Sequence, residues 1–259
     1  MTRPDGIVQP RPVALTTATK VFLRRQVRAT LRQPTWVVAG LTTPLLYLAL
    51  FAPLLDSLRG GLAGAPGFVS GIVNGFMPGM LVLFAYGSGT GVAWEVVADL
   101  DAGVIERFAI LAGSVLRDAV MFLVPALVVV AVATLFGFHI HPLGLVLTLV
   151  LLAMLTGAVS AASAALGLTV KNIGAVAAIV TSTQLPLTLL SGVLLPVSLG
   201  PGWLRVLAHA DPLYYATEAA RELCNGVFGR AGWVGFGVTG GLLVLALAWA
   251  TRVYQRAVA

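Results

Sequence analysis

Between Asp118 and Lys171 the chain runs without a single Asp, Glu, Lys or Arg. A charge at mid-bilayer costs about 2.5–3.5 kcal/mol on the insertion scale, so gaps between charges mark where a chain can cross a membrane. This gap is too long for one crossing, and His139-Ile140-His141-Pro142 breaks it in the middle. It reads as a hairpin of two spans, about 115–137 and 143–168. The uncharged stretch Gln33–Leu55 would make about 35 Å of helix, enough for one more. Gly60–Trp94, Asn172–Leu204 and Ala231–Thr251 are also free of charge and hold spans at about 68–94, 173–195 and 231–251. Charged residues are 10% of the chain and hydrophobic ones 58%, whereas soluble domains carry about 25% charge. The expected fold is all-α and integral to the membrane, with six transmembrane helices over 34–259.

Residues 1–12 hold three Pro and two Arg and are expected to be disordered. Residues 13–33 read as an amphipathic helix lying in the headgroup layer, with Arg24, Arg25, Arg28 and Arg32 on one arc. Pro34 ends it. No cleaved signal is expected, because no apolar core with a small-residue cleavage site precedes the first span. Six crossings put both termini on one side. With the N-terminal segment, Arg107, Arg117, Lys171, Arg252 and Arg256 on that side, it holds twelve basic residues against four. The bias points to a plasma-membrane protein with both termini in the cytoplasm. The net charge of +6 clusters at span ends, which argues against nucleic acid as a partner. A single Cys, Cys224, excludes an internal disulfide.

The hairpin after the second span, Val97–Ser114, reads as a short amphipathic helix from Asp99 to about Ala109. Asp99 is its N-cap, with Leu100, Val104 and Phe108 at four-residue spacing. Two readings stand: an ordinary cytoplasmic loop, or a docking helix that passes force from a partner to the spans. The second span carries a glycine ridge at Gly71, Gly75, Gly79, Gly87 and Gly91, and the fourth has Ala153, Gly157, Ala161 and Ala165. Small residues four apart let helices approach closely, within one subunit or between two. On the fifth span Thr181, Gln184, Thr188 and Ser191 share a face that either lines a substrate path or bonds to a neighbouring helix.

Pro196–Gly232 is too polar to cross and too patterned for a plain loop. A short helix is expected at Trp203–Ala208. A second starts at Asp211-Pro212, N-cap then proline, and runs to about Cys224 before Asn225-Gly226. Trp203, Tyr214 and Tyr215 suit an interfacial aromatic belt, so both helices are expected at the outer face, dipping into the outer leaflet.

Covalent chemistry finds little support. There is no GxxxxGK[ST] loop to grip nucleotide. His139 and His141 lack a third metal ligand. Tyr86-Gly87-Ser88-Gly89 has a serine in a glycine turn, but a serine hydrolase needs a base. His139, His141 and His209 are all expected at the outer face, away from Ser88. No catalytic or metal-binding residue is expected. An ATP-independent channel or structural membrane protein would explain the spans but not the patterned hairpin.

Three segments carry a resemblance. Leu83–Gly91 followed by Asp99 and Gly103-Val104-Ile105-Glu106-Arg107-Phe108 is similar to a D-x-x-x-G-V-x-[DE]-R-F hairpin. Leu190-Ser191-Gly192 with Leu195-Pro196 comes next, then Pro201-Gly202-Trp203-Leu204 with Asp211-Pro212 and Arg221. In this order on six spans they resemble the permease subunits of ABC-2 type exporters, in particular the daunorubicin/doxorubicin-resistance branch. Two positions depart from the pattern: Ala112 where the family has Pro, and Asp211 where it has Asn. The resemblance implies a permease that pairs with a second copy or a sister chain and exports an amphipathic, drug-like or lipid-like compound. Two separate ATPase subunits would bind below and hold the ATP and Mg; this chain would need no cofactor. It further implies that Asp99, Gly103, Glu106, Arg107 and Phe108 form the coupling helix in an ATPase cleft. The 13–33 helix would be the elbow helix, and Trp203–Cys224 the outer re-entrant helices.

Overall fold

The computed structural model describes residues 72–91, 109–135, 137–193 and 197–258, with isolated positions at 42, 46, 49 and 50. The helix expected over 13–33, the first span apart from those isolated positions, Gly71 and the segment with Asp99, Gly103, Glu106, Arg107 and Phe108 lie outside the described residues.

Among the described residues the secondary structure is wholly helical. Helix α1 is Ile72–Thr90, α2 Ala109–Leu135, α3 Pro142–Val170 and α4 Ile173–Leu190. A 3-10 turn at Val197–Leu199 precedes α5, Gly202–Ala208, α6, Pro212–Cys224, and α7, Arg230–Val258. Four stretches are long and apolar enough to cross a membrane: Val115–Leu135, Pro142–Val170, Ile173–Leu190 and Arg230–Arg256. Helix α1 is about 28 Å long but is diluted by Asn74, Pro78 and four glycines. Large apolar side chains such as Leu135, Val146, Leu185, Leu189, Val244 and Leu245 stand exposed on the bundle. So much exposed hydrocarbon suits lipid rather than water.

Helix α3 is the hub, packed against α1, α2, α6 and α7. Its small residues explain why. Ala161, Ala164 and Ala165 meet Ala246 and Ala250 of α7, and Gly157 lies against Val115 and Leu243. Gly89 of α1 sits where a Cβ would come within 2.7 Å of the Thr156 carbonyl oxygen, and the Thr156 hydroxyl donates to the Ala85 carbonyl at 3.1 Å. The main core fills the space between α1, α2, α3 and α6 with Phe76, Met77, Met80, Phe122, Val129, Leu152, Leu155 and Ala216.

Three boundaries differ from expectation, and the first is that α7 runs on to Val258 rather than 251. Helix α2 already runs from Ala109 rather than 115. Ala112 lies inside it, and alanine continues a helix that proline would break. Helix α4 ends at Leu190, and the chain turns through Ser191 and Gly192 instead of continuing to 195.

Helix α6 forms where Asp211-Pro212 and Asn225-Gly226 place it, and it enters the bundle end-on. Its C-terminal end meets the beginnings of α1, α3 and α7. The Cys224 sulfur and Thr148 hydroxyl are 3.4 Å apart, the Leu223 carbonyl presses on Gly144, and Gly226 (φ +73°) packs on the His141 ring. From there α6 runs inward between the spans, with Ala219 on Leu151 and Gly235 of α7 against Ala219 and the Tyr215 carbonyl. Arg221 reaches Gly75 in the first turn of α1; ten residues of helix put Asp211 about 15 Å deeper. His209, Tyr214 and Tyr215 therefore sit inside the bundle's span, not in a belt at the end assigned to the outside. The alanine stripe Ala216, Ala219 and Ala220, fully buried, is what lets a helix with two acids and an arginine slot between the spans.

Candidate functional site

The described residues bring several of the marked side chains together on α6. Arg221 is the largest fully buried side chain, 1% exposed. Its Nε donates to the Gly75 carbonyl at 2.9 Å, its Nη1 to Glu218 Oε1 at 2.9 Å, and its Nη2 to the carbonyls of Gly192 and Val193. A buried guanidinium is tolerated when its donors are matched this fully. The clamp ties α6 to α1 and to the exit of α4, where Gly192 turns with φ +69°. The N-terminal half of the glycine ridge serves the same junction, because the Val193 backbone lies directly against Gly79. Gly87 has nothing within 4 Å of a Cβ, and Gly91 is almost as open. The ridge thus packs within the subunit at one end only.

At the buried tip of α6, Asp211 is 3% exposed. One carboxylate oxygen caps the helix by accepting from the Leu213 amide at 2.9 Å. Its other oxygen, Oδ2, has no hydrogen-bond partner among the described residues. The ring of His209 lies on Tyr214 and Tyr215, with centroids 5.1 and 6.4 Å away. His209 Nδ1 is 2.6 Å from the Arg205 carbonyl, and the Tyr215 hydroxyl donates to the His209 carbonyl. Pro212 opens α6 at its first turn. Trp203, 67% exposed, faces outward from α5.

The polar face expected on α4 divides. Ser191 is fully buried beside the Arg221 clamp, whereas Thr181 is exposed and Gln184 and Thr188 are half-buried. The Thr188 hydroxyl bonds its own helix at Gln184, and Ser191 at Thr188. Near the other end of the bundle, Asp118 of α2 accepts from Arg117 at 2.8 Å and from Ser160 of α3 at 2.7 Å.

Over residues 17–224 the chain matches the family model described as ABC-2 type transporter. The chain belongs to the ABC-2 type transporter family. It is 26% identical over 231 residues to "Daunorubicin resistance ABC transporter permease protein DrrB1" of Streptomyces coeruleorubidus, covering 85% of this chain and 80% of that one. It is 25% identical over 206 residues to "Putative transport permease ycf38" of Cyanophora paradoxa, covering 74% and 69%. The chain is thus a multi-pass membrane permease of an ABC transporter.

For an ABC-2 permease the informative residues that sequence reasoning passed over are Glu218 and Gly89. Glu218 stands three residues before Arg221, a spacing that pairs charges on a helix, and that signal was available. Gly89 lies off the four-residue ridge.

Proposed function

We propose that this chain is the membrane-spanning subunit of an ATP-driven exporter for amphipathic or hydrophobic compounds. Membership of the ABC-2 family over most of the length carries this reading. In it the chain crosses the membrane six times, with both termini and the 97–114 hairpin in the cytoplasm. It pairs with a second permease, identical or sister. Two ATPase subunits supply ATP and Mg, and this chain does no covalent chemistry.

Asp99, Gly103, Glu106, Arg107 and Phe108 form the coupling helix in the ATPase cleft. Helix α2 follows that segment and is pinned to the hub helix α3 by the Asp118–Ser160 bond. ATP-driven closure of the partners therefore biases the spans between two packings. The substrate path runs beside α4, along Thr181, Gln184 and Thr188, with the α5–α6 hairpin as its plug. The family relation supports this reading, as does a buried α6 seated between spans that a transport cycle must move.

The test is co-purification of the permease with its ATPase. Charge reversal at two positions, Glu106→Lys with Arg107→Glu, is expected to abolish the complex while leaving the permease folded. Undiminished ATPase binding would overturn the coupling assignment.

A further inference from the structure

Helix α5 is held to the rest of the chain along one edge. Ala208 is fully buried and Leu204, one turn before it, is half-buried. Trp203, Val206 and Leu207 are 67%, 74% and 51% exposed, and Arg205 stands exposed among them. The tip that follows sets the depth of this cation. The Asp211 amide donates to the Ala208 carbonyl at 3.0 Å and the Tyr215 hydroxyl to the His209 carbonyl at 3.0 Å, so α5 ends beside the buried tip of α6. One helical turn, about 6 Å, separates Arg205 from His209, against about 15 Å between that tip and the level of Arg221. Arg205 therefore lies within the depth that the spans cross.

A charge at that depth is costly against acyl chains and calls for water or a counter-charge. The acids of the chain do not supply one. Asp118 is taken by Arg117 and Ser160, Glu218 by Arg221, and Glu222 accepts from the Gly232 amide at the start of α7. Asp211, 3% exposed, is shut inside the bundle. The other six, Asp5, Asp56, Glu95, Asp99, Asp101 and Glu106, fall outside the stretches expected to cross. A second copy would bring the same set, and so offers Arg205 no carboxylate at this level.

We propose that Arg205 on α5 receives the anionic head, carboxylate or phosphate, of a lipid-like amphiphile. The proposal deepens the exporter reading by naming a substrate class, and rests on it for its physiological meaning. A guanidinium fork matches the paired oxygens of either head, as a single ammonium does not. His209 is already occupied, its Nδ1 2.6 Å from the Arg205 carbonyl and its ring on Tyr214. The tail has apolar surface to follow. Trp203, Val206 and Leu207 flank the cation, and α5 packs on α4, where Leu185 and Leu189 are 66% and 60% exposed. This apolar surface is continuous with the lipid-facing exterior, so the occupant comes from the bilayer.

The experiment uses purified permease in phosphatidylcholine nanodiscs at pH 8.5. It contains no ATPase or ATP, so a negative result counts against the site and not against the exporter. The probe is palmitic acid with a diazirine in its chain, and labelled peptides are mapped by mass spectrometry after illumination. Saturable labelling of Gly202–Ala208 is expected, competed by palmitate and hexadecyl phosphate and at least tenfold less effectively by hexadecanol. Arg205→Gln should lower the labelling at least tenfold, and Arg205→Lys should recover only part of it. Both variants should melt with the wild type, since no described residue pairs with this guanidinium. Labelling unaltered in Arg205→Gln, or hexadecanol competing as well as palmitate, would reveal a plain apolar groove and overturn the site. Absence of labelling on α5 in the wild type would overturn it too. A benzoylphenylalanine introduced at Val206 that crosslinks two permease copies would put a second copy on this face, with the same consequence.

Discussion

Replacing Arg221 with alanine is expected to cost about 3–5 kcal/mol of stability, the range seen when one partner of a buried ion pair is removed. Four acceptors meet this guanidinium: the carbonyls of Gly75, Gly192 and Val193 and the carboxylate of Glu218. Alanine leaves all four without it in a dry interior and opens a cavity the size of the side chain. Arg221→Lys should recover only part of the loss, since a single ammonium cannot reach both α1 and the Gly192 turn as a planar fork does. Glu218 is 26% exposed at its side chain, so Glu218→Gln should cost only about 1 kcal/mol. Melting curves in detergent would rank the three variants. An alanine variant that melts with the wild type would show that the clamp holds nothing.

The second large effect separates glycines that look alike in sequence. Gly144→Ala drives a Cβ into the Leu223 carbonyl, and Gly89→Ala brings one within 2.7 Å of the Thr156 carbonyl oxygen. Both obstacles are backbone, which cannot swing aside, so each change should cost about 1–3 kcal/mol. Gly87→Ala meets nothing within 4 Å, and the gain in helix propensity should stabilise by up to about 1 kcal/mol. The same melting assay tests the contrast; equal effects at positions 87 and 144 would contradict the packing described.

Much of this was legible in advance. Gaps between charges locate α3, α4 and α7 to within a few residues, except that α7 runs on to Val258. Asp211-Pro212 and Asn225-Gly226 bracket α6 because capping is local chemistry. What local chemistry cannot reveal is the direction in which a helix threads its neighbours. Tyr214, Tyr215 and Arg221 carry the composition of an interface, and the short length of α6 rules out a crossing. Only contacts distant in sequence, Arg221 with Gly75 and Ala219 with Leu151, show that α6 stands upright among the spans. The glycine ridge misled in a similar way. Its four-residue spacing is regular but for Leu83, yet the tightest crossing with α3 falls at Gly89, two positions off a row whose last members, Gly87 and Gly91, face open space. The polar stripe on α4 looked like one surface, but Ser191 sits past the helix end and is drawn into the Arg221 junction.

Helix α4 hangs from α3 by two residues. Lys171 takes a left-handed turn (φ 51°) and Asn172 caps the next helix through the Ala175 amide. Along its length within this chain α4 buries only Val176 and Val180. Its far end is caught at Gly192 by the Arg221 guanidinium. A rod pinned at both tips and barely glued between them bows or rolls at small cost, while the hub beside it stays still. Of the long helices described, it is the one whose displacement exposes the least buried surface, and so the natural moving wall of whatever passage the molecule opens.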